Sequence, residues 1–106
     1  MIGPKRPWGP EVIRLIDEHV GRRLKERRLT LRIAKIELAR FLNVPREVLE
    51  AYETGEVSIP ASDLYTIAKT LGVRTGYFYE GLYQRFGTTV NVEAKPPKKQ
   101  VYGTSP

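Results

Sequence analysis

An all-α fold is predicted for this chain of 106 residues, and three observations predict it. Apolar residues recur at spacings of three and four through successive stretches. Asn43-Val44-Pro45, Gly55 and Gly72 interrupt that period where helices would end. No part of the first 86 residues alternates with period two for long. The expected architecture is a compact five-helix bundle over 10–86, between an irregular arm at 1–9 and a basic tail at 87–106.

The arm, "MIGPKRPWG", holds two prolines, two glycines and two cations. Pro10 suits a first helical position, where a missing N–H costs nothing. Ile13, Ile16, Val20 and Leu24 then mark one stripe of an amphipathic helix at about 10–30, whose other faces carry Arg14, Arg22, Arg23, Lys25 and Arg27. "AKIELARFL" (34–42) reads as a short second helix with Leu38, Ala39 and Leu42 inward. Asn43 favours a turn and Pro45 opens a third helix, about 45–54, which buries some of Val48, Leu49 and Tyr52. Gly55 supplies the left-handed residue that ends it. Leu64, Ile67, Ala68 and Leu71 mark a fourth helix, with Ser62 as its cap. Thr75 caps an expected fifth, with Phe78, Tyr79 and Leu82 facing inward.

The composition excludes several functions. With no cysteine, disulfides, thiolate metal sites and cysteine nucleophiles are ruled out. No apolar run approaches a membrane span and no leader pattern opens the chain, so a cytoplasmic protein without a membrane partner is expected. The single histidine, His19, stands in the first helix with no ligand set or Ser/Asp partner around it, and a surface or half-buried place is expected for it. There is no Gly-rich phosphate loop. No catalytic residue, metal or cofactor is expected, and the protein does not read as an enzyme.

The net charge of +6 is unevenly spread. Residues 1–42 carry 11 Lys/Arg against 5 Asp/Glu, residues 43–82 carry 3 against 6, and residues 83–106 carry 4 against 1. Basic segments of this kind attract phosphate backbones or acidic proteins. The third helix, in contrast, carries Glu47, Glu50 and Glu53 against the single Arg46.

"VGRRLKERR", "ELARFLNV", "YETG" and "LYTIAKTLGV" ending in "YFYEGL" together resemble the helix-turn-helix family of Cro and phage repressors, the XRE family. The resemblance covers about 60 residues in the family's order and spacing. It implies a transcription regulator that lays the second helix of its motif, here about 45–54, in the major groove of double-stranded DNA. Arg46, Glu47 and Ala51 match base-contacting positions. A guanidinium can bond guanine O6 and N7, a carboxylate can accept from a cytosine amino group, and a methyl can touch thymine. Lys35 matches a phosphate-holding position, and Arg32 and Arg40 are expected to add backbone contacts. Arg28 and Glu53 match a pair that locks the first helix to the third. Arg suits this because its planar fork can meet a carboxylate with two hydrogen bonds. Glu53 is thereby given an internal task, and Glu50 is left without one.

The departures from the pattern are specific. Ala34 stands where a capping Ser is usual, so that bond is lost or replaced, and Pro45 replaces a Ser or Thr. The loop "EVSIP" lacks the cations often found there. Sequence-selective but weak binding per subunit is the expectation, which points to a homodimer. "TTVNVEA" (88–94) alternates like a lone strand, and it or the aromatics Tyr77, Phe78, Tyr83 and Phe86 could form the interface. Core filling is the simpler reading for Phe78. A protein-interaction module is the rival reading, with Glu47, Glu50 and Glu56 meeting RNA polymerase or another regulator, because a fold does not dictate a partner.

Overall fold

A computed structural model of the protein describes residues 9–84. The arm before Gly9 and the segment from Arg85 on, with Phe86, "TTVNVEA" and the basic tail, lie outside the described residues. Four α-helices follow one another: α1 (Pro10–Thr30), α2 (Lys35–Leu42), α3 (Arg46–Thr54) and α4 (Ala61–Leu71). The fifth element is a 3-10 turn, Thr75–Tyr79, not an α-helix. Five residues between Arg74 and Glu80 are too few for a stable α-helix, and 3-10 geometry is the usual form of so short a connector.

Most of the stripes read from the sequence form a single core, but in α1 Ile13 and Ile16 are only half-buried. α1 contributes Val20 and Leu24, α2 Leu38, Ala39 and Leu42, and α3 Leu49 and Tyr52. α4 contributes Leu64, Ile67, Ala68 and Leu71, and Phe78 enters from the 3-10 turn with no exposed surface. Each fully buried Leu, Ile or Phe contributes about 1.5–3 kcal/mol. α1 lies against α3 and the 3-10 turn, while α2 packs on α3 and α4.

The close approach of α1 to α3 depends on Gly21. A Cβ there would stand 2.3 Å from the Tyr52 carbonyl oxygen and 2.6 Å from that of Glu53. Gly55 then ends α3 at φ 83°, a backbone conformation that disfavours any side chain. The following loop is tied back by the Ser58 hydroxyl, which donates to the Asp17 carboxylate of α1.

Several local expectations need correction. Ser62 lies inside the first turn of α4 and Pro60 takes the cap position, without a side-chain bond. Thr75 begins the 3-10 turn, and Arg74 precedes it in extended geometry. Tyr79 is exposed, because the tighter winding of the turn aims only Phe78 squarely at the core. His19 is buried rather than half-exposed, and its Nε2 donates to the Glu80 carbonyl at 2.8 Å. That bond fastens α1 to the chain just past the 3-10 turn.

Two α1 cations counted as surface charge are also turned to the fold. Arg23 donates through Nε and Nη2 to the Tyr77 carbonyl, ion-pairs with Glu80 at 2.9 Å, and stacks 3.9 Å above the Tyr77 ring. Arg27 Nε donates to the Leu71 carbonyl at 3.0 Å. That carbonyl ends α4, where a helix leaves acceptors unfilled and favours positive charge.

Candidate nucleic-acid interface

α2 and α3 are joined by the three residues Asn43–Pro45, and the turn holds itself in place. Asn43 adopts the left-handed conformation at φ 60°, which Asn tolerates better than most residues. Its N–H donates to the Arg40 carbonyl, and that of Val44 to the Ala39 carbonyl, so the last acceptors of α2 are satisfied. Pro45, at φ −65°, presents its carbonyl to the amides of Val48 and Leu49 and starts α3 without a side-chain cap. At the other end of α2 the missing Ser cap is replaced by a reverse contact. The Glu37 carboxylate accepts from the Ala34 amide at 2.9 Å.

α3 has one buried and one open face. Leu49, Tyr52 and Glu53 point inward. Arg46 and Glu47, on its first turn, are both exposed, and Ala51 is half-buried one turn after Glu47. Nothing among the described residues pairs with Glu47.

Arg28 and Glu53 are brought together behind α3. Nε of Arg28 donates to Glu53 Oε2 at 2.6 Å and Nη2 to Oε1 at 3.1 Å, while Nη1 caps the Ile33 carbonyl at 2.8 Å. Both side chains are almost wholly buried. A bidentate pair with a third bond satisfies the charge that burial would otherwise penalise. Next to Glu53 on the same buried face of α3, Tyr52 Oη donates to Asp63 Oδ2 of α4 at 2.6 Å. Burial first, and then the Asp63 carboxylate, push the Tyr52 phenol up to about 12.

The cations expected to meet phosphate are not all on one surface. Lys35, at the start of α2, reaches across to α3 and meets Glu50 Oε2 at 3.5 Å. The same oxygen accepts from Arg46 Nε at 3.3 Å. Lys35 is the chief reason that the Glu50 carboxyl is held below the ordinary carboxylate range; desolvation opposes it and Arg46 adds to the lowering. Arg40 stands apart. Five residues along the helix turn it by roughly 140° from Lys35, and it lines an open groove with Ile33, Glu37 and Phe41. Arg32 is exposed in the α1–α2 loop, in the left-handed conformation at φ 59°.

Sequence reasoning missed Glu50 as the partner of two cations. Arg46 four residues before it was a usable signal for half of that contact. Lys35 was not, because the approach depends on how α2 and α3 cross. Among the described residues no group of acidic or imidazole side chains is placed to hold a metal ion, and no helix is long and apolar enough to cross a membrane.

The family profile described as Helix-turn-helix matches residues 24–78, from the last third of α1 through Phe78. The chain is 42% identical over 67 residues to a protein of Rhodospirillum rubrum named an uncharacterized transcriptional regulator in the ATPase CF(0) region, covering 63% of this chain and 62% of that one. It is 34% identical over 65 residues to an HTH-type transcriptional regulator of Sinorhizobium medicae, covering 61% and 47%. It is 31% identical over 72 residues to an HTH-type transcriptional regulator of Rickettsia conorii, covering 68% and 58%. The matched segment thus spans about half to three-fifths of these relatives. The α2–turn–α3 unit falls inside the profile's span, and the chain belongs to the helix-turn-helix family of the XRE type.

Proposed function

We propose that the protein is a transcription regulator that binds double-stranded DNA with α3 in the major groove. The observation that carries this reading is the solvent-facing placement of Arg46 and Glu47 on the first turn of α3, beside Lys35 of α2. Helix-turn-helix modules read bases from the N-terminal part of their second helix, which is where these two side chains stand. Arg46 bonds a guanine, Glu47 accepts from a cytosine amino group, and Ala51 meets a thymine methyl. Lys35 and Arg32 hold phosphates, and Arg40 contributes to the backbone only where the duplex bends toward the far side of α2. Two copies acting together on half-sites about one helical turn apart would compensate for the small number of contacts per copy.

The rival partner, a basic protein surface on RNA polymerase or another regulator, needs an acidic α3. The structure offers less acidity there than the residue count suggests. Glu53 is buried against Arg28, and Glu50 is engaged by two cations. Glu47 and Glu56 are the exposed carboxylates that are left around this helix.

The test is binding to duplexes selected from a random library, over a range of salt. Affinity should fall steeply as salt rises. Arg46→Ala should relax preference at one base-pair position, at a cost of about 1–3 kcal/mol on the selected duplex. Binding that ignores both Arg46 and Lys35 replacement would remove the DNA reading and leave the protein-partner reading in its place.

A further inference from the structure

The outer face of α3 has its charge set by one oxygen atom. Glu50 Oε2 takes the ammonium of Lys35 from α2 and the Nε of Arg46 from one turn earlier on α3. The three side chains retain between 35% and 57% of their surface. Both contacts are longer than a strong charge-assisted bond, and both are open to water. A ligand can therefore replace the carboxylate without unfolding anything.

One carboxylate between two cations has two consequences for a polyanion. The trio presents a net charge of one instead of two, so its pull on an arbitrary phosphate is weakened. The guanidinium of Arg46 is also drawn back along its own helix. A duplex of any sequence supplies phosphates, which must compete with Glu50 for cations already satisfied. A duplex with guanine at the right step supplies two acceptors in the geometry that a guanidinium fits, and so has more to offer in exchange. Discrimination of this sort comes from a repulsive element set against wrong partners as much as from attraction to the right one.

We infer that Glu50 is a specificity-determining positioning residue: by holding Lys35 and Arg46 it suppresses indiscriminate phosphate binding and leaves base-directed contacts to decide. The inference rests on α3 being the DNA-reading helix. It assigns a task to the one glutamate of α3 that neither the fold nor base contact explains.

The experiment compares the full chain with Glu50→Gln, using duplexes selected from a random library and unselected random-sequence duplexes across a salt series. For the variant, binding to unselected duplexes should tighten, and the plot of log affinity against log salt should steepen by about 0.9, the share of one released cation. Between about 50 and 200 mM salt that is an additional loss of roughly three- to fourfold. The ratio of selected to unselected affinity should fall. A Lys35→Gln background separates mechanisms. There the effect of Glu50→Gln should shrink if the carboxylate acts through its cations, and should grow if it merely repels phosphate, which would overturn the inference. A ratio that falls only because the selected duplex is bound more weakly makes Glu50 a base reader and overturns it too. If the parent binds duplexes while the variant keeps the same slope and ratio, this inference fails alone. If the parent binds no duplex even at low salt, the DNA reading fails and takes the inference with it.

Discussion

Two ion clusters anchored on α3 are built from the same residue types and do opposite things. Behind the helix, Arg28 and Glu53 meet fork to fork at 2.6 and 3.1 Å, nearly dry, with a third bond to the Ile33 carbonyl. At its rim beside α2, Lys35 and Arg46 share one oxygen of Glu50 at 3.5 and 3.3 Å, in contact with water. Glu50 and Glu53 are three residues apart and neighbours on the helix surface, so burial and not residue type separates them: the Glu53 side chain is 3% exposed and that of Glu50 39%. A buried pair with every bond made is part of the scaffold, because removing either partner strands a charge. An exposed cluster with long, shared bonds has little hold on the fold and is available for exchange.

Breaking the buried pair should produce the largest effect. Arg28→Met leaves Glu53 charged and unpartnered in the core, and should cost about 3–5 kcal/mol in urea unfolding. Pairing it with Glu53→Leu should restore most of that loss, since two well-packed apolar side chains often equal or exceed the ion pair they replace. A loss no greater than that of an exposed pair would end the comparison.

Tyr52 and Asp63 test the middle ground, a neutral donor on a half-buried carboxylate. Tyr52→Phe should cost about 1.5 kcal/mol, the usual worth of a hydrogen bond to a charged group. The contribution should also vary with pH in a known direction. The folded-state value of about 12 lies above the ordinary 10.0, so the folded protein holds the phenolic proton more tightly. That stabilisation is fully present below pH 10 and is lost as the pH rises through about 12. The stability difference between parent and Tyr52→Phe, followed through that window, should therefore narrow.

Much of the scaffold was legible in the sequence because burial writes itself as periodicity. Leu24, Leu38, Leu49 and Ile67 fall on the inward stripes and have no exposed surface. The span of α1, the left-handed end at Gly55 and the turn at Asn43 could also be read directly, since each depends on neighbours along the chain. What could not be read depends on approach in space. A charge count cannot show that Arg23 and Arg27 turn back to the Tyr77 and Leu71 carbonyls, more than forty residues away. Nor does a lone histidine in a helix announce that it will bind the Glu80 carbonyl across the domain. Local propensity also misled at Ser62 and Thr75, good caps in the wrong register. The Lys35–Glu50 contact, fifteen residues apart, appears only once α2 and α3 cross. The sequence therefore displayed Arg46 and Glu47 as a candidate reading face but not the carboxylate that meets both Lys35 and Arg46.

Arg32 sharpens the comparison from a different direction, because its cost lies in the backbone. It holds φ 59° where α1 ends, with its amide donating to Leu29 and that of Ile33 to Arg28. A non-glycine residue in this conformation carries about 1–2 kcal/mol of strain, partly offset in glycine by its larger loss of freedom on folding. Arg32→Gly should therefore raise stability by about 0.5 kcal/mol in thermal or urea unfolding. If Arg32 holds a phosphate, the same change should lower the salt slope of DNA binding by about 1. Gain in stability with loss in binding would mark a residue kept for its ligand at the expense of the fold.

The smallest expected effect on stability is at the exposed cluster, and it is the one on which the comparison turns. Glu50→Gln removes the shared acceptor of Lys35 and Arg46, yet both cations can return to water where they stand. Its carboxyl is held below the usual 4.5, principally by Lys35. Whatever it adds to stability is present above that ordinary value and is lost as the pH falls through the folded-state one. Salt screens such exposed charges within about 10 Å at 0.1 M. Urea unfolding of Glu50→Gln at neutral pH and ordinary salt should thus be indistinguishable from that of the parent. A shift as large as that of Tyr52→Phe would make Glu50 a member of the scaffold. Its two cations would then be committed to the fold, and no phosphate could claim them without loosening the crossing of α2 and α3.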